Sequence, residues 1–257
     1  MRALACQSGS NGNCVFVEAG ETRLLVDAGL SGIQVVRRLV SRGIDAERMS
    51  AVLVTHDHSD HVRCAGIYAR KWRVPVYITE RTLLAARGWC DFGKLDDVRI
   101  FAAGDSFEVG EVRVDTVPTP HDGADGVAFA FEHGGRRLGV LTDLGHPFDA
   151  LLGVLAGLDG AFLESNYDQA MLETGPYPYH LKRRIAGPGG HLSNLEAAQL
   201  LRDAVEAAGR LRWACLAHLS EENNTPTLAL KTSRAVLGEK LPVFAASRYE
   251  ASDVFEV

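Results

Sequence analysis

The sequence lacks the features that mark secreted and membrane proteins. It has only five cysteines in 257 residues, and no two of them form a C-x-x-C pair. The odd, scattered set argues against a disulfide framework or a thiolate metal site, so we expect free, mostly buried thiols. No apolar run approaches the roughly 18–20 residues that a membrane-spanning helix needs, and the segment before the first turn is too short for a signal peptide. These absences predict a soluble, cytoplasmic protein with no membrane partner.

An excess of basic residues is also missing. The net charge of -6 argues against a protein that coats nucleic acid non-specifically. It does not exclude an enzyme that acts on nucleic acid, because bound divalent cations and a local basic patch can outweigh the modest negative net charge of the chain. Hydrophobic residues make up 46% of the chain, which is enough for a sizeable core. Because we find no repeat, low-complexity segment or linker, we predict one domain over residues 1–257.

Strand-like and helix-like segments alternate along the chain. Apolar runs predict strands over residues 13–19, 22–27, 51–55, 74–79, 98–101, 107–109, 112–117, 126–132, 136–142, 160–164 and 212–217. Helical periodicity and capping signals predict helices over 31–41, 80–87 and 193–208 and a last one opening at 225–226. The predicted apolar face of the first helix consists of Ile33, Val36, Leu39 and Val40. That of the third consists of Leu195, Ala198, Leu201, Val205 and Ala208. The segments divide into two halves of the chain, each with strands followed by helices. This order predicts an α/β protein with two sheets packed face to face and helices outside.

The stretch VTHDHSDH, residues 54–61, places three histidines and two aspartates within six residues at the end of a predicted strand. Nine histidines in the whole chain make a chance His-rich loop improbable. Imidazole and carboxylate groups are ligands of divalent metals, and imidazole suits zinc especially. One ion cannot comfortably take four such closely spaced ligands, so we predict two ions. His56 and His58 would hold one, and Asp60 and His61 the other.

Further ligands must come from other strand ends. Three residues follow apolar runs there: His121 in TPHDGADG, Asp143 in LGVLTDLG and His218 in ACLAHLSEEN. Sites carried on sheets usually lie at such ends. A single polar residue could simply cap a strand, but together with the histidine stretch these positions favour ligation.

The motif THDHSDH matches the H-x-H-x-D-H signature of the metallo-β-lactamase fold superfamily, and the resemblance covers nearly the whole chain. LLVDAG, residues 24–29, is similar to the first motif of that superfamily, in which Asp27 would support the metal loop. His121, Asp143 and His218 follow in the order of the third, fourth and fifth motifs. The resemblance implies a four-layer αβ/βα sandwich, in which two mixed β-sheets are flanked by helices.

The resemblance also implies how the ligands divide between two divalent ions. His56, His58 and His121 would hold one ion. Asp60, His61 and His218 would hold the other, and Asp143 would bridge them. Ligand type alone does not separate zinc, manganese and iron.

The stretch QSGSNGNC, residues 7–14, resembles the S-G-S-x-G-N opening of the YycJ (WalJ)-like branch of the superfamily. Its backbone N–H groups and the side chains of Ser8, Ser10 and Asn11 could cradle an anionic oxygen, although a plain hairpin turn uses the same residue types. LESNYD, GPYPYHLKRRIAGPGGHLSN and LAHLSEENN are also similar to motifs of this branch. The branch is one of nucleases, and the resemblance implies a 5′-to-3′ exonuclease acting on DNA.

Lys182, Arg183 and Arg184 form a compact basic triplet in one of these motifs. Such a triplet can hold phosphates and make binding sensitive to salt, or it can be a solvated charge run. Tyr177 and Tyr179 nearby could stack on bases or pack against the core.

LESN and GHLSN are similar to motifs of tRNA 3′-processing endonucleases, in which a glutamate and a histidine beside the metals serve proton transfer. The resemblance implies that His191 protonates the leaving oxygen while Glu164 orients its ring. The alternative is that His191 only packs at the start of a helix. Asn223 and Asn224 are further candidates for phosphate contacts. His146 stands where an aromatic residue is expected, and its role stays open.

These patterns favour a dinuclear-metal hydrolase, most simply a nuclease acting on DNA rather than RNA. Asp60, Glu164 and His191 are the candidate catalytic residues. A hydrolase of a small ester, thioester or lactam is the alternative, but a lactamase needs neither the basic triplet nor the glutamate–histidine pair. A non-catalytic metal-holding regulator is disfavoured, because no ligand of the set is missing.

Overall fold

Fourteen strands form two seven-stranded sheets in the structure, a computed structural model that describes residues 1–257. The first sheet contains β1 (Arg2–Gln7), β2 (Cys14–Ala19), β3 (Thr22–Val26), β4 (Ala51–Leu53), β5 (Val76–Thr79), β6 (Val98–Phe101) and β14 (Phe255–Glu256), in the order β14-β1-β2-β3-β4-β5-β6. The second contains β7 (Ser106–Val109), β8 (Val112–Pro118), β9 (Val127–His133), β10 (Arg136–Leu141), β11 (Gly160–Glu164), β12 (Trp213–Ala217) and β13 (Val243–Ala245), in the order β13-β12-β11-β10-β9-β8-β7. Both sheets are mixed, with antiparallel hairpins at one side and parallel strands at the other.

Nine helices supply the crossovers that parallel strands require. They are α1 (Gly32–Val40), α2 (Ser59–Val62), α3 (Ala65–Trp72), α4 (Glu80–Arg87), α5 (Asp149–Ala156), α6 (Gln169–Thr174), α7 (Tyr179–Ile185), α8 (Asn194–Ala208) and α9 (Pro226–Leu237). None of them is both long enough and apolar enough to cross a membrane.

Successive side chains of each strand point to opposite faces of its sheet, and this divides the core into layers. Ala3 and Val17 point into a cluster shared by the two sheets, whereas Leu4 and Phe16 point into the cluster under α1, α3 and α4. A third cluster lies between the second sheet and α5, α8 and α9. The chain therefore has helices, sheet, sheet and helices in four layers, and the predicted αβ/βα sandwich is confirmed. All five cysteines are free, and three of them are buried.

The apolar face predicted for α1 is confirmed at Leu39, which is buried, and at Val36, which packs partly buried against the core. It is wrong at Ile33 and Val40, which are 65% and 60% exposed, whereas Val35 is buried. Gly32 is also buried and lies close to α3, where an added Cβ would be 3.1 Å from the Lys71 side chain.

The face predicted for α8 also needs a correction. Leu195 is 51% exposed, and Asn194 is buried in its place. The Asn194 amide exchanges hydrogen bonds with Asn224 at 2.8 and 2.9 Å, so a polar contact orients the first turn. The predicted capping box of Ser193 and Glu196 is confirmed.

Strand β4 is shorter than predicted because the chain leaves the sheet at its end. The Thr55 N–H donates to Asp27 Oδ1 (2.8 Å) instead of to a neighbouring strand. The histidine stretch therefore begins at the carboxyl edge of the sheet, where the loops after β8, β10 and β12 also arrive.

Candidate metal centre

Four overlapping groups of donor atoms meet between the carboxyl edges of the two sheets, and two of these groups share no residue. His56, His58 and His121 form one group, whose candidate ligand atoms all lie within 4.8 Å of one another. His121 Nε2 is 3.2 Å from His58 Nδ1. These three histidines come from the loop after β4 and the loop after β8, so the fold assembles them from both sheets.

Asp60, His61 and His218 form the second group, again with donor atoms within 4.8 Å of one another. His61 is fully buried, whereas Asp60 and His218 line the neighbouring cavity. Asp60 and His61 both lie in the first turn of α2, and Asp60 Oδ2 is 3.5 Å from His61 Nε2.

Asp143 lies between the two groups. Its Oδ1 is 3.1 Å from His218 Nε2 and 3.6 Å from His121 Nε2, and its Oδ2 is 3.2 Å from His61 Nε2. One carboxylate thus faces donors of both groups, which is the placement that a bridging ligand requires.

The outer ring nitrogens of the histidines are held by hydrogen bonds. Nδ1 of His61 pairs with Asp27 Oδ2 (2.7 Å), and Nδ1 of His121 with the Gly190 carbonyl (2.7 Å). Nδ1 of His56 contacts Thr55 Oγ1 at 2.9 Å. Such contacts set the ring orientation and leave Nε2 for a metal. Asp27 therefore stands in the supporting position expected for it.

The buried donors fit a divalent cation. His56 Nε2 and Asp143 Oδ2 are buried and have no hydrogen-bond partner, although such groups are normally satisfied. Burial holds the pKa of His56 well below its usual range, so the ring is neutral and able to ligate. Burial would raise the pKa of the Asp143 carboxyl, but the surrounding histidines, His218 and His61 foremost, hold it well below its usual range. A neutral imidazole and a buried carboxylate without full hydrogen bonding are a donor set that a metal satisfies.

Backbone strain is concentrated at this centre. Asp27, Asp143 and His218 have φ values of 65°, 56° and 55°, which non-glycine residues rarely adopt. Each such residue costs of order 1 kcal/mol or more, and it persists only where its surroundings hold it. His218 is held by its own N–H, which donates to Ser8 Oγ at 2.7 Å, and by its carbonyl, which accepts from Asn166 Nδ2 at 2.7 Å.

Glu164 and His191 form a second pair beside the donors. Glu164 is fully buried, and its Oε1 lies 2.6 Å from His191 Nδ1. Its Oε2 accepts from the N–H groups of Leu144 and Leu192 at 2.9 and 3.2 Å. Burial lowers the pKa of His191, but the carboxylates of Glu164 and Asp143 outweigh it and raise that pKa above its usual value. The pair can hold a proton next to the donor groups.

A cavity of about 300 Å³ opens over these residues. It is lined by Ser10, His58, Ser59, Asp60, Asp143, Asn166, Tyr177, Leu181, Arg184, Ile185, His191, His218 and Ser220. Of the candidate substrate contacts, only Ser10 and Arg184 reach it. The Arg184 guanidinium is held by two hydrogen bonds to Asp122, of 2.6 and 3.0 Å.

The remaining candidate substrate contacts lie elsewhere. Ser8 is buried, and its hydroxyl is used by His218. Asn11 Oδ1 accepts from Gln7 Nε2 at 3.0 Å outside the cavity. Lys182 and Arg183 are on α7 but do not line the cavity; Lys182 Nζ donates to the Glu173 carbonyl.

Asn223 and Asn224, which were predicted to contact substrate phosphate, are both buried. Asn223 is 0% and Asn224 4% exposed, and neither lines the cavity. The Asn224 amide donates to the carbonyls of Ser165 and Asn166 at 2.9 and 3.0 Å, so it joins two loops. The half-buried His146 pairs through Nδ1 with the Pro188 carbonyl at 2.7 Å.

Asn13 is a site residue that the sequence pattern did not single out. Its Nδ2 donates to Asp60 Oδ2 (3.1 Å) and lies 2.9 Å from His61 Nε2. Its Oδ1 lies 3.2 Å from His218 Nδ1 and accepts from the Gly9 N–H at 2.8 Å. The only signal for it is its place in the stretch QSGSNGNC, which is typical of a turn.

The four-layer fold and the two donor groups define a class of protein, the metal-dependent hydrolases of the metallo-β-lactamase fold. A family model described as the beta-lactamase superfamily domain matches residues 22–212, and the chain belongs to this superfamily.

Two relatives confirm the resemblance to the YycJ-like branch. The chain is 38% identical over 233 residues to the exodeoxyribonuclease YycJ of Bacillus anthracis, covering 91% of this chain and 88% of the relative. It is 34% identical over 227 residues to the exodeoxyribonuclease WalJ of Streptococcus pneumoniae, covering 88% of this chain and 84% of the relative. The Zn²⁺-bound structure of PqqB from Methylobacterium extorquens is similar over 100% of both chains, with a TM-score of 0.77 and 17% identity, which supports the fold.

Proposed function

We propose that this protein is a dinuclear metal-dependent nuclease that removes nucleotides from DNA, with 5′-to-3′ polarity. The observation that carries the proposal is one carboxylate, Asp143, placed between two groups of metal donors beside the buried Glu164–His191 pair. The relatives named exodeoxyribonucleases favour DNA over RNA and removal from an end.

Each donor group has a role in this proposal. His56, His58 and His121 would hold one divalent ion. Asp60, His61 and His218 would hold the second, with the Asp143 carboxylate facing both groups of donors. When bound, two such ions neutralise the charge that develops on a phosphodiester and make a nucleophile available at neutral pH.

His191 supplies a proton to the leaving oxygen. Its Nδ1 is engaged by Glu164 at 2.6 Å, which leaves Nε2 as the nitrogen that can donate, and His191 lines the cavity. Glu164 fixes the ring through this contact, and its other oxygen is fixed in turn by two backbone N–H groups. The raised pKa of His191 favours the protonated form that such a donor needs.

The basic helix α7 binds the strand that leads to the site. Arg184 lines the cavity, and Lys182 and Arg183 directly precede it on the same helix but lie outside the cavity. Ser10 faces the cavity from the opposite loop and hydrogen-bonds a phosphate oxygen. Binding through three cationic side chains weakens with added salt, because phosphate contacts release counterions.

A cleavage assay tests the proposal. Protein loaded with zinc, or separately with manganese, is incubated with duplex DNA labelled at either the 5′ or the 3′ end and with single-stranded RNA. We expect nucleotides to be lost from the 5′ end of DNA, and Asp60→Ala to abolish the activity without unfolding the protein. Asp253→Ala removes a carboxylate that is 84% exposed and is the matched control, expected to retain activity.

Other results would redirect the assignment. Cleavage of RNA alone would replace the DNA substrate with RNA. Turnover of a simple ester or thioester, with no nucleic acid cut, would overturn the nuclease proposal. Full activity of Asp60→Ala would remove Asp60 from the proposed donor set.

A further inference from the structure

Thirteen residues line the cavity over the donor groups, and ten of them are polar or charged, including the donor residues and Arg184 of α7. The other three, Tyr177, Leu181 and Ile185, are hydrophobic. All three come from one short stretch of chain, the loop before α7 and α7 itself, and we call them the apolar wall.

The apolar wall is backed by its own small core. Tyr167, Leu172 and Ile185 form a separate buried cluster, against which Tyr177 and Leu181 pack. Tyr177 and Leu181 are half-buried, so one part of each side chain is fixed by packing and the rest is free to face the cavity. Such a surface is held in place before any ligand arrives, which lowers the entropic cost of binding.

The neighbouring tyrosine is not part of the wall. Tyr179 is 75% exposed and lies outside the cavity, where the Arg183 guanidinium stands 5.8 Å from its ring centre. The two tyrosines are two residues apart in sequence, yet only Tyr177 can meet a molecule bound at the donor groups. This makes Tyr179 a natural control for Tyr177.

We propose that the apolar wall is a nucleobase subsite, in which Tyr177 stacks on the base of the terminal nucleotide and Leu181 contacts the same base. This inference rests on the proposed function and names the part of the substrate that the wall recognises. A nucleotide joins an anionic phosphate to a flat, largely apolar base, and the cavity offers both metal donors and an aromatic ring. Its volume of about 300 Å³ is at the lower end of the range for sites that enclose one small molecule, which suits a single terminal nucleotide.

The wall also predicts how the base is read. Tyr177, Leu181 and Ile185 present no side-chain amide, carboxylate or guanidinium to base edges, and stacking tolerates every base because each has a π-face. The Arg184 guanidinium and the Asn166 amide also line the cavity, but they are engaged by Asp122 and by the His218 carbonyl. The subsite therefore retains any terminal nucleotide with similar strength. It distinguishes a nucleotide from a sugar phosphate that has no base.

Equilibrium binding to the manganese-loaded protein tests the subsite without requiring turnover. The two probes are deoxyadenosine 5′-monophosphate and deoxyribose 5-phosphate, which share the phosphate and differ in the base. We expect the wild type to bind the nucleotide about 5- to 150-fold more tightly, the range for one base stacked on an aromatic side chain. Tyr177→Ala should bring this ratio close to one, while Tyr177→Phe and Tyr179→Ala should keep it.

A second assay connects the subsite to turnover. DNA with a normal terminal nucleotide is compared with DNA whose terminal nucleotide is abasic. Tyr177→Ala should raise KM for the normal end and leave KM for the abasic end close to that of the wild type. An equal loss on both ends would assign Tyr177 to general structure and overturn the subsite.

The two proposals fail in different ways. If the wild type degrades DNA but binds the nucleotide and the sugar phosphate with equal affinity, the subsite proposal is wrong and the nuclease proposal is unaffected. A clear ratio that Tyr177→Ala abolishes, in a protein that degrades no DNA, would support the subsite while removing the nuclease. If Tyr179→Ala lowers the ratio as much as Tyr177→Ala, the wall is not where the base lies.

Discussion

At the scale of single residues, the Asn13 side chain connects donors that are far apart in the chain. One amide contacts Asp60 and His218 and lies 2.9 Å from His61 Nε2. The amide is itself held by the Gly9 backbone. Asn13 Nδ2 donates to the Gly9 carbonyl, and Asn13 Oδ1 accepts from the Gly9 N–H. The contacts with Asp60 Oδ2 and His218 Nδ1 are of the kind that sets the orientation and basicity of metal ligands. We therefore infer that Asn13 positions the proposed second ion.

Asn13→Ala should lower the affinity for one metal equivalent by about 10- to 100-fold, because the ligand side chains lose their supporting amide. Competition with a chromophoric chelator measures this affinity directly, without any substrate.

Asn11→Ala is the matched control for Asn13. Asn11 is an exposed asparagine of the same loop, and its side chain contacts only Gln7. Unchanged metal affinity in Asn13→Ala would show that the amide supports the loop and not the ligands.

At the scale of secondary-structure elements, Asp159 joins the ends of three strands. Its Oδ2 accepts from the Arg137 N–H of β10 at 2.8 Å and from Arg210 at 2.8 Å, and its Oδ1 from Arg136 at 3.2 Å. Its own carbonyl accepts from the Arg212 N–H, just before β12, at 2.8 Å. Asp159 directly precedes β11, so these contacts set the register from which β10, β11 and β12 run to the donor groups.

Asp159→Asn should destabilise the fold by about 1–3 kcal/mol at pH 7, because it weakens charge-assisted hydrogen bonds to a buried group. Burial would raise the pKa of Asp159, but hydrogen bonds from Arg210, Arg137 and Arg136 lower it below its usual value. The folded state therefore binds this proton less readily than the unfolded state. The stabilisation is fully present above the unfolded pKa of about 3.9 and is lost as pH falls through the lower folded pKa.

Denaturant unfolding at pH 7, 5 and 3 measures the difference in free energy of unfolding between wild type and Asp159→Asn. The difference should narrow at the lowest pH. Asp253→Asn, at an exposed carboxylate, should differ little from the wild type throughout. If the difference in free energy of unfolding between wild type and Asp159→Asn stays constant with pH, the charged form of Asp159 is not what stabilises the fold.

At the scale of the whole molecule, the donor groups connect the two sheets. His56, His58, Asp60 and His61 follow the first sheet, whereas His121, Asp143 and His218 follow strands of the second. A cation held by these donors would therefore link loops from both halves and would neutralise a buried carboxylate. Binding at such a place stabilises the folded state as a whole.

Removing the metal with a chelator should lower the melting temperature. At a metal concentration about 100-fold above Kd, one ion stabilises the fold by about 2.7 kcal/mol, which is roughly 5–11 °C for a chain of this size. Differential scanning calorimetry before and after chelation measures the change, and adding zinc or manganese back should reverse it.

Asp143→Asn is the informative variant for this measurement. It keeps the side-chain shape but removes the charge that faces both donor groups, so its chelation-dependent shift should be much smaller than that of the wild type. An equally large shift in Asp143→Asn would place the stabilising metal elsewhere.

The sequence by itself determined the alternation of strands and helices, the α8 capping box and the local geometry of the H-x-H-x-D-H stretch. These features depend on apolar periodicity, capping and spacing between residues that are close in the chain. Glu164 and His191 were indicated in a different way, by the similarity of the short motifs LESN and GHLSN to motifs of other nucleases.

Only the tertiary structure decided which side chains meet and which stay in solvent. Asn13 pairs with residues 47 and 205 positions away, and nothing in its own segment reports those contacts. Tyr177 faces the cavity and Tyr179 does not, although both stand in the same motif. Helix α1 buries Val35 and exposes Ile33, although both stand in the same apolar segment. Each of these outcomes depends on packing against distant segments, which local sequence patterns do not describe.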